Sequence, residues 1–576
     1  LNSLKNNYNT ATKHPRELPA GDPSSPHTTQ PTDANRHTPT DTPRDQHMHA
    51  VAPPTNNAES APWKPPLTKI LATVGPAISH PDIIQKMMES GARLFRINFS
   101  HGEFDEHLTR INMIRMVSKS IRTSVAILGD LSGPKIRVTK VPDAGIRVRP
   151  GQDIIIRTNT DAATNGDEPV FGATYPNVAT ECEPGHRVLI NDGSIRTLCV
   201  EKTDGQIKCR VTAGGLVTTG KGINLPDSEL TVPALTEHDW NCVDFALQNH
   251  LDFLAMSFVR SGDDVETLRK QLVKRCDLQT CGLPLDDEHT PRIPIVAKIE
   301  TPQAVNRIED ILEHADAIMV ARGDLGVEMD LASVPISQKR LIRIAHEFGK
   351  PAIVATQMLE SMIDKPTPTR AEVSDVANAI LDGADCVMLS AETAVGRYPH
   401  LAVETMRRVS CATEDYWRTS EHGDPHPGKG RHFSEITPAV AHGAYQIARD
   451  INARLIVCWS ERGAGARFLS RNNFDAPILA FSSDLKAVRR MNLLYGVYPI
   501  WLREVPEHRS DFAEIVDHMV IARGLVKRGD RLILLGAKPL DQKGSMNTLA
   551  VRVAGDLTPE DAVDNFPKSQ LADANL

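Results

Sequence analysis

Residues 294–323, PIVAKIETPQAVNRIEDILEHADAIMVARG, contain the pattern that decides the fold. Two short apolar runs, Pro294–Glu300 and Ala317–Gly323, flank the segment Pro302–His314, whose apolar residues recur every three or four positions. Runs of this length predict buried strands, and that spacing predicts an amphipathic helix between them. A strand, a helix and a second strand in this order are typical of a parallel sheet covered by helices.

The same unit recurs through residues 67–410, where eight such apolar runs occur. They are Lys69–Val74, Arg93–Phe99, Ser124–Asp130, Leu251–Ser257, Pro294–Glu300, Ala317–Gly323, Pro351–Gln357 and Cys386–Glu392. Eight strands that alternate with helices predict a closed (β/α)8 barrel of the TIM type. A doubly wound open sheet is the alternative that the pattern by itself leaves open.

The alternation is interrupted once, between the third and fourth runs. Residues 138–230, called the insert below, alternate apolar and polar residues around a Lys202–Gly205 turn. This pattern predicts a small β-barrel over the mouth of the large one, where it would act as a lid. The large barrel is thereby divided into residues 67–137 and 231–410. Residues 411–576 again alternate strand and helix signals, which predicts a C-terminal α/β domain.

Composition bounds the remaining possibilities. Residues 1–66 hold 12 of the 40 prolines and few apolar residues, which predicts a disordered tail. The chain carries 65 Lys+Arg against 73 Asp+Glu, a net charge of -8, which argues against a nucleic-acid partner. No run reaches the roughly 18 apolar residues that a membrane span needs. The nine cysteines are scattered, which favours reduced thiols and a cytoplasmic protein.

Polar residues gather at the carboxyl ends of the predicted barrel strands, where the catalytic groups of such barrels lie. Lys298 and Glu300 flank Ile299, so both point to one side of their strand. Asp324 follows the next strand, whose axis is about 4.8 Å away. Two carboxylates beside a lysine predict a Mg²⁺ site for a phosphorylated substrate, and Arg96 adds a cation from another strand. A structural ion pair of Lys298 with Glu300 is the alternative explanation.

Several segments of residues 67–555 resemble pyruvate kinases in order and spacing. They are Lys69–Ala77, Arg96–Gly102, Gly133–Arg137, Ala297–Glu300, Val320–Gly326, Ala355–Met362 and Ser390–Ala394. The resemblance implies transfer of the phosphoryl group of phosphoenolpyruvate to ADP, which yields pyruvate and ATP in glycolysis. It also implies a homotetramer.

The resemblance implies a role for each residue of the barrel rim. Glu300 and Asp324 would hold the essential Mg²⁺ or Mn²⁺ ion. Lys298 and Arg96 would bind the substrate and stabilise the phosphoryl group during transfer. Thr356 would complete the catalytic set.

Further contacts follow from the same resemblance. Gly323, Asp324 and Thr356 would bind the substrate carboxylate, and Arg137 and Lys221 would face the nucleotide phosphates. Asp192 would approach the nucleotide and its metal ion when the lid closes. The proton donor to the enolate stays open among Thr356, Ser390 and a water molecule near Glu392.

The segment Gly129–Val138, GDLSGPKIRV, departs from the commoner family pattern. It carries Lys135 where many K⁺-dependent members have a glutamate. An ammonium group can take the electrostatic role of the monovalent ion, so we predict activity that does not require K⁺. Asn98, Ser100 and Asp130 remain as a vestigial monovalent cation site.

The segment Ser460–Ala466, SERGAGA, lies between a predicted strand and a predicted helix. Such a loop presents backbone N–H groups to an anion. Family members often bind a sugar-phosphate activator there through hydroxyl groups, whereas Arg462 and Gly465 replace two of those positions here. Ser460, Arg462, Gly463 and Gly465 are therefore candidates for binding a different phosphorylated effector. A simple structural turn is the alternative.

Two other classes of function are weighed against the kinase. A metal-dependent lyase on a related barrel would share the acidic pair but lack the insert. A sensor without activity would have lost Lys298 or one of the two carboxylates, and this chain retains all three.

Overall fold

The computed structural model describes residues 64–275, 293–419, 436–506, 508–537 and 546–557. Apart from its last three residues, the predicted N-terminal tail lies outside these ranges. No helix within them is long and apolar enough to cross a membrane.

The first part of the chain supplies three strands and two helices of the large barrel. In order they are β1 (Lys69–Val74), α1 (Pro81–Ser90), β2 (Leu94–Asn98), α2 (Phe104–Ser120) and β3 (Ala126–Asp130). Helix α1 begins with Pro81, whose missing N–H costs nothing in a first turn, and ends at Gly91, which has φ of 121°. Strands β1, β2 and β3 pair in parallel.

The insert leaves the barrel after β3 and is built from eight short strands. They are β4 (Ile146–Val148), β5 (Asp153–Arg157), β6 (Val170–Gly172), β7 (Arg187–Ile190), β8 (Ile195–Thr203), β9 (Gln206–Ala213), β10 (Gly215–Val217) and β11 (Ile223–Asn224), with helix α3 (Val178–Glu181) after β6. One sheet has the order β11-β7-β8-β9-β5-β6, and β4 pairs with β10. Both sheets share a single apolar core, as expected for a small β-barrel.

The chain then returns to complete the large barrel. The elements are α4 (Glu237–Gln248), β12 (Phe253–Met256), α5 (Gly262–Arg275), β13 (Ile295–Ile299), α6 (Pro302–Asn306), α7 (Ile308–His314), β14 (Ala317–Ala321), α8 (Arg322–Glu328), α9 (Val334–Glu347), β15 (Ala352–Ala355), α10 (Arg370–Leu381), β16 (Cys386–Leu389), α11 (Ala391–Ala394) and α12 (Pro399–Thr419). Eight parallel strands close in the order β1-β16-β15-β14-β13-β12-β3-β2. This closure confirms the predicted barrel and excludes the open sheet.

Local sequence explains where two of these helices begin. Thr236 accepts a hydrogen bond from the backbone of Asp239, whose carboxylate accepts one in return, and Thr369 and Glu372 repeat the arrangement at α10. Such reciprocal caps satisfy N–H groups that have no partner within the helix. Helix α12 continues through residue 410, so the predicted boundary of the C-terminal domain lies inside a helix.

The C-terminal domain is a five-stranded sheet covered by helices. Its elements are α13 (Ile436–Asp450), β17 (Leu455–Trp459), α14 (Ala464–Ser470), β18 (Ile478–Ser482), α15 (Leu485–Met491), β19 (Val497–Trp501), α16 (Arg509–Ala522), β20 (Arg531–Gly536) and β21 (Thr548–Val553). The order is β19-β18-β17-β20-β21, with β21 antiparallel to β20. Strands and helices alternate as the sequence predicted, and the antiparallel edge strand β21 is an addition.

A buried ion pair joins this domain to the barrel. Asp385 lies just before β16. Its carboxylate accepts hydrogen bonds from both terminal nitrogens of Arg471, which directly follows α14. One Asp385 oxygen also accepts the N–H of Ala352 at 2.8 Å and lies 3.2 Å from Nε2 of His346. Although burial favours the neutral acid, Arg471 and His346 hold the pKa of Asp385 at about 2.

This depressed pKa predicts a specific loss of stability in acid. The ordinary pKa is 3.8, so ionised Asp385 stabilises the fold above about pH 4, and this contribution is lost as the pH falls toward 2. The lowered pKa corresponds to a stabilisation of about 2 kcal/mol. Urea unfolding of the wild type and of Asp385→Asn should therefore differ most at neutral pH, and the difference should shrink below pH 4. A difference that does not vary with pH would contradict this account.

Candidate active site

Charged side chains from three barrel strands meet at the open end of the barrel. The Nζ of Lys298 lies 2.8 Å from Oε1 of Glu300 and 3.4 Å from Oδ1 of Asp130. It also donates a hydrogen bond of 2.7 Å to Oγ of Ser257. On the other side, Nε of Arg96 lies 2.6 Å from Oδ2 of Asp130. The result is one network of two cations and two acids.

The alternation of side chains along each strand explains why these groups converge. Residues two apart on a strand face the same side of the sheet. The residue two positions before each charged group belongs to the apolar cluster inside the barrel. The pairs are Leu94 and Arg96, Leu128 and Asp130, and Val296 and Lys298. Each charged group therefore continues the interior row at the carboxyl end of its strand.

The network is largely shielded from water. The side chains of Lys298 and Arg96 are each 12% exposed, and that of Asp130 is 1% exposed. Although burial opposes its charged form, Asp130 and Glu300 hold the pKa of Lys298 above its ordinary value. Burial likewise opposes ionised Asp130, but Lys298 and Arg96 lower the pKa of that carboxyl. Lys298 is thus a fixed positive charge rather than a proton donor.

Glu300 and Asp324 provide the acidic pair that the sequence predicted. Glu300 is 1% exposed, and its Oε2 accepts the N–H of Phe258 at 2.7 Å. Burial raises the pKa of Glu300, and the negative charge of Asp324 raises it further. A divalent cation between the two carboxylates would relieve this repulsion, so the donor set fits Mg²⁺ or Mn²⁺.

The protein side of such a metal site is incomplete by itself. In the described ranges, no group of three or more His, Cys, Asp or Glu side chains could hold a metal ion. Mg²⁺ is commonly held by one or two carboxylates together with water and substrate oxygens. The pair therefore suits an ion that arrives with, or is completed by, an oxygen-rich substrate.

The start of α8 and the end of β15 form the neighbouring wall of the site. The N–H of Gly323 donates to Oγ1 of Thr356 at 2.7 Å, and that hydroxyl donates to the carbonyl oxygen of Ala355 at 2.6 Å. Thr356 has φ of 70° and Gln357 has φ of 54°. Positive φ at successive non-glycine residues is strained and is often found at functional sites.

Arg322 fixes this wall in place. It lies 2.7 Å from Asp375 on α10 and donates 2.9 Å to the carbonyl oxygen of Thr356. Its side chain is 11% exposed. The guanidinium therefore holds the strained Thr356 turn against α8.

The three candidates for the proton donor have different surroundings. The hydroxyl of Thr356 is already engaged with Gly323 and Ala355. The carboxylate of Glu392 accepts the N–H groups of Ser390 at 2.6 Å and Leu359 at 3.0 Å. The Oγ of Ser390 is buried without a hydrogen-bond partner in the described residues. These contacts leave the Ser390 hydroxyl available to a ligand.

The predicted nucleotide-binding residues lie where the insert joins the barrel. Arg137 is exposed and donates 2.9 Å to the carbonyl oxygen of Gly220. The neighbouring Lys221 is half-buried, and its carbonyl oxygen accepts the N–H of Val138 at 2.8 Å. The two cations are thus brought together by backbone pairing across the base of the insert.

A second contact ties the insert to α8. Asn224 on β11 donates a hydrogen bond of 2.6 Å to Oε1 of Glu328, the last residue of α8. Gly193 of the insert also lies beside Val327, since a Cβ built on this glycine would be 3.4 Å from the Val327 side chain. Helix α8 therefore carries Asp324 near its start and contacts the insert at its end.

The residues assigned to a vestigial cation site are only partly assembled. Oδ1 of Asn98 accepts the N–H of Ser100 at 3.2 Å, and Oγ of Ser100 lies 3.1 Å from Oγ of Ser132. The carboxylate of Asp130 faces the two cations of the network instead. Lys135 points to the insert, where its Nζ lies 3.5 Å from Oδ1 of Asp192.

The candidate effector loop adopts a tight turn into α14. Gly463 has φ of 84°, and its N–H donates 3.1 Å to the carbonyl oxygen of Ser460. The Oγ of Ser460 accepts the N–H of Ala466 at 3.1 Å. A Cβ at Gly465 would lie 3.3 Å from that Oγ. Ser460 thus serves the turn itself.

Sequence reasoning missed three residues that shape the site. Ser257 and Phe258 follow β12 and hold Lys298 and Glu300, respectively. Asp375 orients Arg322 from a helix that is remote in sequence. The end of the run Leu251–Ser257 offered a signal for Ser257, because its position matches those of the other rim residues.

A (β/α)8 barrel with buried cations beside an acidic pair at its rim fits a phosphotransferase. Comparison with known proteins gives the family. Residues 66–403 match the model "Pyruvate kinase, barrel domain", and residues 438–552 match "Pyruvate kinase, alpha/beta domain". The chain belongs to the pyruvate kinase family.

Individual relatives agree over most of the chain. A pyruvate kinase of Corynebacterium glutamicum is 37% identical over 492 residues, which cover 85% of this chain and 98% of the relative. A pyruvate kinase of Thermotoga maritima is 36% identical over 487 residues, or 84% and 98% of the two chains. The crystal structure of a pyruvate kinase from Cryptosporidium parvum has a TM-score of 0.76 at 31% identity and covers 84% of this chain and 96% of that one.

Proposed function

We propose that this protein transfers the phosphoryl group of phosphoenolpyruvate to ADP, with Mg²⁺ or Mn²⁺ as cofactor, in cytoplasmic glycolysis. The observation that carries the proposal is the position of the Lys298 ammonium, 2.8 Å from Glu300 and 3.4 Å from Asp130. This arrangement places a permanent cation next to the acidic pair that fits a divalent ion. A transferring phosphoryl group needs both in one place.

In this mechanism the protein positions charge rather than forming covalent bonds. Lys298 and Arg96 face the phosphoryl oxygens from two strands, and Asp130 holds both cations in a fixed geometry. Because the site is shielded from water, these charges act strongly on the phosphoryl group as it moves between oxygens. Glu300 and Asp324 would hold the divalent ion, which supplies further charge neutralisation when bound.

Transfer leaves the enolate of pyruvate, which must accept a proton at its terminal carbon. Gly323 and Thr356 would hold the carboxylate end of this intermediate. Ser390 is the best-supported proton donor, because its buried hydroxyl has no hydrogen-bond partner among the described residues. A water molecule at Glu392 is the alternative. Thr356, whose hydroxyl already has two partners, is less suited to proton transfer.

The insert would cover the substrate during transfer. Arg137 and Lys221 sit at its base and would bind the phosphates of ADP, with Asp192 nearby on the same side. Closure would exclude water that could otherwise accept the phosphoryl group. A phosphorylated effector at Ser460, Arg462, Gly463 and Gly465 and a homotetrameric assembly belong to the same proposal.

A coupled assay of pyruvate formation tests the function. Purified protein is given phosphoenolpyruvate with and without ADP and with and without Mg²⁺. Strict dependence on both supports the kinase. Turnover without ADP would instead point to a lyase or phosphatase, and absence of turnover in every mixture to a sensor.

Potassium is expected to have little effect on this activity. The reason lies in the sequence, where Lys135 stands at the position of a glutamate in many K⁺-dependent relatives, and an ammonium group can take the electrostatic role of the monovalent ion. Rates in sodium-only and potassium buffers of equal ionic strength should differ by less than about tenfold. Lys135→Glu is the matched variant and should respond to K⁺ more strongly than the wild type. Stimulation of the wild type beyond tenfold would refute the prediction.

A further inference from the structure

Three cysteines lie together in the core of the insert. Cys199 on β8 and Cys209 on β9 are Cα partners across this hairpin, and Cys182 directly follows α3. Each is at most 1% exposed, and all three belong to the same apolar core. A single buried thiol commonly serves as a small apolar group. Here the register of the strands places Cys199 directly opposite Cys209.

The backbone hydrogen bonds define the type of pair that Cys199 forms with Cys209. The N–H of Cys199 donates 2.9 Å to the carbonyl oxygen of His186, and its own carbonyl oxygen accepts the N–H of Gly185 at 2.8 Å. Both partners lie just before β7, and β7 and β9 are on opposite sides of β8 in the sheet. The backbone polar groups of Cys199 therefore face away from β9. In an antiparallel sheet this makes the Cys199–Cys209 pair a non-hydrogen-bonded one.

The backbone hydrogen bonds of β9 agree with this type of pair. Two residues after Cys209, the N–H of Val211 donates 2.9 Å to the carbonyl oxygen of Gln152, just before β5. Non-hydrogen-bonded pairs have Cα atoms about 4.5 Å apart, with their side chains on one face. Disulfides span Cα separations of about 4.4–6.8 Å. A pair of this type lies within the reach of a disulfide; the register of β8 and β9 shifts directly after it, between Cys199 and Glu201.

The thiols also interact with one another. Interactions with Cys209 and with Cys182 lower the pKa of Cys199, against the effect of burial. Burial raises the pKa of Cys182 to about 12, and the hydrogen bond with Cys199 together with burial raises that of Cys209. Cys199 is therefore the thiol that ionises first, and the thiolate is the reactive form.

We propose that Cys199 and Cys209 form an oxidation site of the insert, where a hydroperoxide converts the two thiols into a cross-strand disulfide. The Cys199 thiolate attacks one oxygen of hydrogen peroxide, the O–O bond breaks, and the departing hydroxide takes up a proton to form water. The resulting sulfenic acid is attacked by the sulfur of Cys209. The S–S bond forms as the S–O bond breaks, and the Cys209 proton leaves with the hydroxyl group as a second water. Two thiols are oxidised and one peroxide is reduced.

The experiment uses the full reduced chain and hydrogen peroxide. After a time course, free thiols are alkylated and the protein is digested without reductant for peptide mapping. We expect a linked peptide pair that contains Cys199 and Cys209, a loss of about two mass units from the intact chain, and reversal by dithiothreitol. Cys209→Ser should abolish the link. Cys182→Ser should retain it, as should the control Cys458→Ser, which removes a buried cysteine of the C-terminal domain.

Two results would overturn the assignment. One is a link between Cys182 and Cys199 in place of the predicted pair. The other is the absence of any Cys199–Cys209 link under conditions that oxidise the half-buried Cys411. Mapping of the wild type decides between these outcomes even if a serine variant fails to fold. It also separates the pair from the cysteines at positions 276 and 281, which lie outside the described residues.

Discussion

Lys298→Met is expected to lower kcat by about 10³-fold or more, with a smaller effect on the KM for ADP. The ammonium group lies between Glu300 and Asp130 and is the positive charge closest to the acidic pair. Methionine keeps much of the length of the side chain but removes the charge. Charge that is fixed before the reaction contributes mainly to the transition state, so the loss should fall on kcat.

Steady-state rates measured at saturating Mg²⁺ check this expectation. Lys339→Met is a matched control, because Lys339 lies on α9 with a side chain 53% exposed and pairs only with Asp382 among the contacts described. It should retain nearly full activity. Thermal unfolding of both variants shows whether the Lys298 variant is folded. A folded Lys298→Met protein with a kcat within tenfold of the wild type would contradict the proposed role.

Arg471→Met is expected to lower the free energy of unfolding by about 3–5 kcal/mol. The guanidinium is 8% exposed and meets the carboxylate of Asp385, which is 1% exposed, across the junction of the barrel and the C-terminal domain. Removal of the cation leaves a buried carboxylate whose other side-chain contact among the described residues is Nε2 of His346, at 3.2 Å. The carboxylate must then stay unpaired or take up a proton, and both cost free energy.

Urea unfolding at neutral pH measures this loss. Arg343→Met provides the control, since Arg343 is 71% exposed and lies 3.8 Å from Glu347 on the same helix. Exposed pairs of this kind contribute about 0–1 kcal/mol. A change of less than 1 kcal/mol for Arg471→Met would show that the ion pair does not hold the two domains together.

The barrel could be predicted because its strands are encoded locally. Each is a short apolar run that ends in polar residues, and the structure places all eight within the predicted segments. The convergence of the charged rim residues follows from the same runs, since alternation along a strand carries Arg96 and Lys298 to the inside once Leu94 and Val296 are buried there. Local pattern therefore predicted both the fold and the meeting of these charged side chains.

Features that depend on pairing between distant segments could not be predicted. Strand β21 packs antiparallel on the edge of the C-terminal sheet, and its half-exposed residues give a weak strand signal. Asp385 and Arg471 are 86 positions apart, and the local sequence around each residue does not indicate that the two form a pair. The contact of Lys135 with Asp192 likewise depends on how the insert folds back on the barrel.

Helix α8 connects the insert to the acidic pair. Asp324 lies in its first turn, and Glu328 at its other end is hydrogen-bonded to Asn224 of the insert. Both contacts are thus carried by one helix of seven residues, about two turns long. Coupling between two binding sites is reciprocal. If a bound nucleotide changes the affinity of the acidic pair for a cation, then the bound cation must change the affinity for the nucleotide by the same factor.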